Sequence, residues 1–257
     1  MIHYYAPGGG LGHLTRGRRV LDVLGIDATF VTSSPYAEDP RVTGGRPAIA
    51  IPTESPREWL RTLATDRLIV DTFPCGLQGE LCGLDVKMDL VARAVKWDEY
   101  RRAVPGPLPR FENVWRVEPL PPDQEAAIGA TAIPLLLPTN DKPQTTSTPY
   151  WLLAHSGPAE EVRELVAYAA ELRRIAQSEE RVLVATRCAV DLPEHFEHID
   201  AYPVAPLFAN ATRIISAAGC NVMQETEPWR DKHHVVPFAR RFDDQFARAA
   251  RRRLTAR

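Results

Sequence analysis

Cysteine is scarce. The chain has four in 257 residues: Cys75, Cys82, Cys188 and Cys220, none in a C-x-x-C pair. That density does not build a disulfide framework, and without paired spacing neither a zinc knuckle nor a thioredoxin-like motif is expected. Long apolar runs are missing too, so no segment reads as a membrane span. The first residues enter a short strand pattern directly, with no leader-like segment, which makes the cytoplasm the expected location. Net charge is only -2, so no global basic field points to nucleic acid.

What remains is an ordinary globular composition, 44% hydrophobic and 25% charged, in a length that suits one large domain or two small ones. Apolar runs at residues 2–6, 28–32, 48–51 and 67–71 read as strands. Helical patterns at 15–24 and 57–64 alternate with them, an order typical of a parallel sheet covered by helices. Residues 90–97 fit a strand or a short helix, and 113–117 and 131–137 read as strands. Prolines between 105 and 122 break any long helix. A polar, proline-containing stretch at 139–149 reads as a linker. The alternation then restarts, with strands at 150–154, 181–186, 213–216 and 234–237. The accompanying helices are at 159–177, 221–226 and 244–253. The expected domains are 1–140 and 150–257. Five arginines crowd the C-terminus: Arg248, Arg251, Arg252, Arg253 and Arg257. They fit a solvated last helix, or attraction to anionic lipid or a phosphate-bearing partner.

Two segments carry chemistry. Between the first strand and first helix, Pro7-Gly8-Gly9-Gly10-Leu11-Gly12-His13-Leu14-Thr15-Arg16 forms a glycine-rich turn closing on a histidine. Such a turn lets a substrate approach the backbone, and the following helix start offers free amides to anions. His13 stands where a dinucleotide fingerprint would have its third glycine, so no nicotinamide or flavin site is read. His13 is the candidate general base, because imidazole titrates near neutrality. Asp71, at a strand end, could fix its tautomer, while Thr15 and Arg16 could hold phosphate or a carboxylate. The loop of residues 71–77 either lines the cleft between the two domains or is a structural strand-to-helix turn. The second segment is Gly219-Cys220-Asn221, followed by Glu225, Pro237, Asp244 and Gln245. His195 and His198 have a spacing that suits a metal only with a third ligand, which is not evident, so no metal site is expected.

The glycine turn resembles the N-terminal loop of GT-B glycosyltransferases. Gly9-Gly10-Leu11-Gly12-His13 is close to the loop of the peptidoglycan N-acetylglucosaminyltransferase group. Gly10-Leu11-Gly12-His13-Leu14-Thr15-Arg16 also resembles the Gly-x-Gly-His-x-x-Arg loop of related nucleotide-sugar hydrolases. In the second segment, Gly219 and Glu225 have the family's spacing between a glycine under the diphosphate and a ribose-binding glutamate. Asp244 and Gln245 fall where the family meets the donor sugar. Ser156 and Gly157, in His155-Ser156-Gly157-Pro158, resemble the loop opening the donor domain; they either contact diphosphate or cap the following helix. Two features depart from the pattern. Trp229-Arg230-Asp231-Lys232 replaces a small Gly-x-Pro segment, and the acceptor domain looks trimmed.

The resemblance implies an α/β fold of GT-B type, with two Rossmann-like domains facing a cleft and a reduced N-terminal domain. It implies a metal-independent, inverting transferase with no resident cofactor. His13 would be the base, and a nucleotide-sugar, first of all a UDP-sugar, the donor. Gly9, Gly10, Gly12, Thr15 and Arg16 would form the acceptor or phosphate loop. Ser156, Gly157, Gly219, Asn221, Glu225, Asp244 and Gln245 would bind the donor. Hydrolysis by a His13-activated water and a non-catalytic nucleotide-sugar-binding role are the alternatives. The acceptor, the oligomeric state and peripheral membrane contact are left open.

Overall fold

The computed structural model describes residues 1–52, 54–128, 132–137 and 148–254. The expected linker falls mostly outside them. The chain divides into two compact units: Met1–Pro138 with Arg240–Asp244, and Thr139–Ala239 with Gln245–Arg257.

The first unit runs β1 (Ile2–Ala6), α1 (Leu11–Leu24), β2 (Thr29–Thr32), α2 (Pro40–Thr43), β3 (Ala48–Ala50), α3 (Pro56–Thr62), β4 (Arg67–Asp71), β5 (Lys87–Ala92), α4 (Trp97–Ala103), β6 (Phe111–Arg116), α5 (Pro122–Ile128) and β7 (Ile133–Pro134). Its seven strands form one sheet in the order β3-β2-β1-β4-β5-β6-β7, and every pairing is parallel. The central strands are buried on both faces, which explains continuous apolar runs such as Leu68-Ile69-Val70.

α1 begins at Leu11, four residues before the sequence pattern suggested. Gly12 and His13 are therefore helical along with Arg16, and the loop proper is residues 7–10. α1 lies close against the sheet because Gly17 has no side chain: a Cβ there would stand 2.6 Å from Tyr4 Cε1 and 2.7 Å from Phe30 Cε1. The ambiguous stretch 90–97 resolves into the end of β5 and the start of α4, whose Trp97 and Tyr100 are buried. The sequence reading omitted α5, which begins on Pro122, a residue suited to a first helical turn. The segment Arg240–Asp244 contributes Phe242 to this unit's core, edge-on to Tyr100 at 5.3 Å and to Phe73 at 5.9 Å.

The second unit runs β8 (Tyr150–Ala154), α6 (Ala159–Ala176), β9 (Arg181–Ala185), β10 (Phe196–Ile199), β11 (Ala211–Ala217), α7 (Cys220–Glu225), β12 (His233–Val236) and α8 (Gln245–Leu254). Its strands order β10-β9-β8-β11-β12, again all parallel. β10 was missed because Phe196-Glu197-His198-Ile199 is polar at its centre and only half-buried as an edge strand. His195 and His198 accordingly flank or join a strand rather than share a helix face, and His198 Nε2 donates to the Thr186 carbonyl at 2.9 Å.

The solvated reading of the arginine-rich helix is corrected for two of its members. Arg248 and Arg252 are buried. Arg248 donates to the Ala218 carbonyl at 2.7 Å. Arg252 donates to the Met223 and Thr226 carbonyls at 2.9 and 3.1 Å and pairs with Glu227. Those two carbonyls are at the C-terminal end of α7, where a cation complements the helix dipole and adds to the bond that the Thr226 carbonyl accepts from Trp229 N at 3.0 Å. Arg252 also approaches His233 Nδ1 at 3.0 Å, and His233 Nε2 meets Ser216 Oγ at 2.8 Å. Ser216 gives its proton to the Ala217 carbonyl, so His233 Nε2 is the donor and Nδ1 faces the guanidinium. Burial, with Arg252 behind it, pushes the His233 pKa from 6.5 down to about 3.

Two tests follow from this packing. Gly17→Ala should lower stability by about 1–3 kcal/mol, because neither ring can retreat without disturbing the sheet; denaturant midpoints read it. His233 stays neutral in the folded state, while the unfolded chain protonates it below 6.5. Stability is therefore full above that value and falls as pH drops, with about 2 kcal/mol lost at roughly pH 5 from this group alone. Urea unfolding across this range, with His233→Gln showing a shallower decline, checks it.

Candidate functional site

In an open parallel sheet, ligands bind beyond the carboxyl ends of the strands where the strand order reverses. In the first unit the chain leaves β1 toward β2 and β3 on one side, and β4 and its successors lie on the other. The reversal point is therefore between β1 and β4. The glycine loop follows β1, and Asp71 is the last residue of β4.

Asp71 is fully buried and gathers every polar group nearby. His13 Nδ1 stands 2.5 Å from its Oδ2. Arg16 donates from Nε to Oδ1 at 2.8 Å and from Nη2 to Oδ2 at 2.5 Å. The Tyr4 hydroxyl donates to Oδ1 at 2.8 Å. Burial opposes its charge, but Arg16 and His13 outweigh burial and hold the carboxyl well below the usual carboxylate range. The same burial lowers the His13 pKa; Asp71 pulls it back up, and the charges of Arg16 and Arg93 push it down again. The result is a neutral imidazole beside an ionised carboxylate, with Nδ1–H pointing to Asp71 and a lone pair left on Nε2.

Gly8 of the loop lies beside that nitrogen. A Cβ on Gly8, whose φ is +110°, would come within 3.4 Å of Nε2. The loop backbone is fixed by Ser33 Oγ, which accepts from Gly8 N at 3.2 Å, while Gly9 and Gly10 are exposed. The Arg16 guanidinium is engaged by Asp71 and by Thr72 Oγ1 at 2.8 Å. Thr15 Oγ1 donates within the helix, to the Leu11 carbonyl at 3.0 Å. The loop after Asp71 folds into a buried turn. There Glu80 accepts from the amides of Leu77 and Gln78 and from Tyr5, in space that a side chain on Gly76 would fill.

In the second unit the strand order reverses between β8 and β11. Ser156 and Gly157 follow β8, and Gly219 and Asn221 follow β11, so these four sit at neighbouring carboxyl ends. Gly219 is the N-cap of α7, whose six residues make it a short helix. Ser156 does not cap α6; Pro158 takes that place, with no side-chain cap. The loop is tied down instead by His155 Nε2 to Glu161 Oε2 at 2.8 Å, by His155 stacked on Phe238 at 5.7 Å, and by Cys188 Sγ donating to the Gly157 carbonyl at 2.9 Å. Glu225 ends α7. Asp244 and Gln245 fall into different units. Gln245 is buried, with its Oε1 accepting from Phe238 N at 3.0 Å. Trp229, in the segment that departs from the glycosyltransferase pattern, packs on Phe208 at 5.9 Å, and Lys232 donates to the Ala209 carbonyl. Among the described residues no group of three or more His, Cys, Asp or Glu is placed to hold a metal, and no helix is long and apolar enough to cross a membrane. Tyr4, Thr72, Arg93 and Asp243 join the first site without any local motif to mark them.

No protein-family model and no curated protein matches the chain. Solved structures do. The chain is similar to a spinosyn rhamnosyltransferase complexed with thymidine diphosphate, at 17% identity and TM-score 0.65, covering 100% of this chain and 85% of that one. It is similar to a Streptomyces glycosyltransferase, also complexed with thymidine diphosphate, at 13% identity and TM-score 0.62, covering 99% and 85%. A calicheamicin glycosyltransferase is similar at 13% identity and TM-score 0.53, covering 100% and 90%. The likeness extends over the whole chain and establishes the fold, an α/β fold of GT-B type built from two Rossmann-like units.

The packing makes Arg16 a structural counter-ion of Asp71. Arg16→Met should destabilise the protein by about 3–5 kcal/mol by leaving a buried carboxylate unpaired. An arginine reserved for ligand phosphate would leave the denaturant midpoint almost unchanged.

Proposed function

We propose that this chain, with the fold of nucleotide-sugar glycosyltransferases, transfers a sugar from a nucleoside-diphosphate donor to an acceptor hydroxyl, with His13 as the base. The observation that carries the reading is the His13–Asp71 pair at the carboxyl edge of the first sheet, with Nε2 beside Gly8. In this reading Nε2 takes the acceptor proton as the oxygen attacks the anomeric carbon from the face opposite the diphosphate. The bond to the diphosphate breaks with its electron pair, and the configuration inverts. Asp71 stabilises the imidazolium and keeps Nδ1–H in place. Charge develops on the departing diphosphate, and amides at the loops after β8 and β11 would meet it. Ser156, Gly157, Gly219 and Asn221 are the donor contacts that the strand-end geometry supports. Glu225 and Asp244 are retained as contacts to ribose and sugar on the family resemblance. Gln245 would have to release Phe238 to take part.

The thymidine diphosphate bound in two of the similar structures brings dTDP-sugars beside UDP-sugars as donors. The likeness to the peptidoglycan N-acetylglucosaminyltransferase group is carried by Gly9 to His13 and bears on the acceptor side. The reaction needs no metal in this reading, since the diphosphate is met by amides and the proton by imidazole.

The test is a donor screen by mass spectrometry with UDP-, dTDP- and GDP-sugars, with and without candidate acceptor alcohols. Glycosylated acceptor is the expected product, with His13→Ala slower by about 10²–10⁴-fold. Free sugar formed at the same rate without acceptor would turn the reading to hydrolysis. Donor binding with no turnover for any acceptor would turn it to a binding protein. Because burial lowers the His13 pKa from 6.5, kcat/KM should be flat at neutral pH and fall on the acid side below that value.

A further inference from the structure

Asp243 has no part in the reaction as described, yet a chain of hydrogen bonds joins it to the base. Its Oδ1 stands 2.5 Å from Arg93 Nη1. Arg93 is buried and donates from Nε to Thr72 Oγ1 at 3.2 Å. Thr72 Oγ1 lies 3.2 Å from Asp71 Oδ2, the oxygen that meets His13. A hydroxyl has one proton and two lone pairs. Both guanidinium groups at Thr72, Arg16 and Arg93, can only donate, so both lone pairs are taken and the hydroxyl proton must go to Asp71. The direction of every bond in the chain is thereby set.

Thr72 occupies this place at a cost. Its φ is +71°, a left-handed conformation that a β-branched residue adopts only when its surroundings impose it. Its amide donates to the Val91 carbonyl at 2.9 Å. Asp243 is delivered with equal care. Lys96 N donates to the Phe242 carbonyl at 2.8 Å, Lys96 Nζ to the Arg240 carbonyl at 3.0 Å, and the Phe242 ring is in the core.

We propose that Asp243, acting through Arg93 and Thr72, is a positioning residue that neutralises the second guanidinium at the site and so sets the charge felt by His13. The proposal rests on the reading of His13 as the base. Among the described residues the charged and polar groups around His13 are Arg16 on its own helix, Asp71 at the end of β4, Thr72 after it, Arg93 after β5, and Tyr4 of β1 through Asp71; Phe73 and Gly8 also border it. Two cations and two carboxylates balance around a neutral imidazole. Removing Asp243 leaves an uncompensated Arg93, which disfavours protonated His13; removing Arg93 does the reverse.

The experiment compares Asp243→Asn, Asp243→Glu and Arg93→Met by two readouts. One is the NMR titration of the His13 ring in the free protein, assigned with His13→Ala. The other is the acid limb of kcat/KM. Asp243→Asn should move the titration down and Arg93→Met should move it up, each by at least several tenths of a pH unit, while Asp243→Glu stays near wild type. The kinetic limb should follow with the same signs. A merely structural role would change stability in all three and leave the titration in place, and that result overturns the proposal. If Asp243→Asn does not fold, the double variant Arg93→Met/Asp243→Asn is compared with Arg93→Met: a titration below that of Arg93→Met sustains the proposal, and equal titrations overturn it. Ring titrations that shift while the kinetic limb does not would sustain the charge linkage and refute His13 as the base.

Discussion

One buried charge organises the first unit. Asp71 has no access to water, so its carboxylate exists only because Arg16, Tyr4, Thr72 and His13 converge on it. Desolvating a carboxylate costs several kcal/mol, and only a dense set of donors offsets that. Much follows from this constraint. α1 must start early enough to bring His13 and Arg16 onto one face, three residues apart. Gly17 must let the helix approach the sheet. Thr72 must turn left-handed so that its hydroxyl serves three partners. Nε2 of His13 is the nitrogen that does not face Asp71, and Gly8, without a side chain, lies beside it.

The second unit solves a different problem by similar means. Its α7 is short and ends against buried structure, so its terminal carbonyls need donors that water does not supply. Arg252 reaches in from α8 and provides them, while Arg248 donates to the Ala218 carbonyl just ahead of α7. A helix that looks suited to an anionic surface thus spends two of its arginines inward, leaving Arg251 and Arg253 exposed. The carboxyl ends of β8 and β11 remain the polar, glycine-bearing edge of this sheet.

Most strands were legible because buried parallel strands are continuous apolar runs, and 67–71 and 150–154 are unambiguous examples. The His13–Asp71 pairing was legible as well, since a strand-end acid and a histidine after a neighbouring strand meet wherever those strands pair. The start of α1 was not, because three glycines in a row mask an N-cap that uses no side chain. Arg16 resembled a phosphate ligand because a local motif cannot reveal a carboxylate fifty-five positions away. Thr72 was noticed only as part of the loop after β4, since threonine does not announce a positive φ, and Asp243 carried no mark, since a pair separated by 150 positions has no periodicity. β10 failed for the opposite reason, its edge position allowing a polar middle.

The membership of Arg240–Asp244 in the first unit bears on how the chain folds as it is made. Phe242 belongs to a core whose other members lie before residue 129. On the ribosome the first unit must therefore wait, with an aromatic-sized gap beside Tyr100 and Phe73, until more than a hundred further residues have been translated. At roughly 5–20 residues per second that delay lasts on the order of ten seconds. Nascent chains of this protein should thus pass through a long-lived, chaperone-accessible stage in which His13 and Asp71 are already synthesised but their surroundings are incomplete.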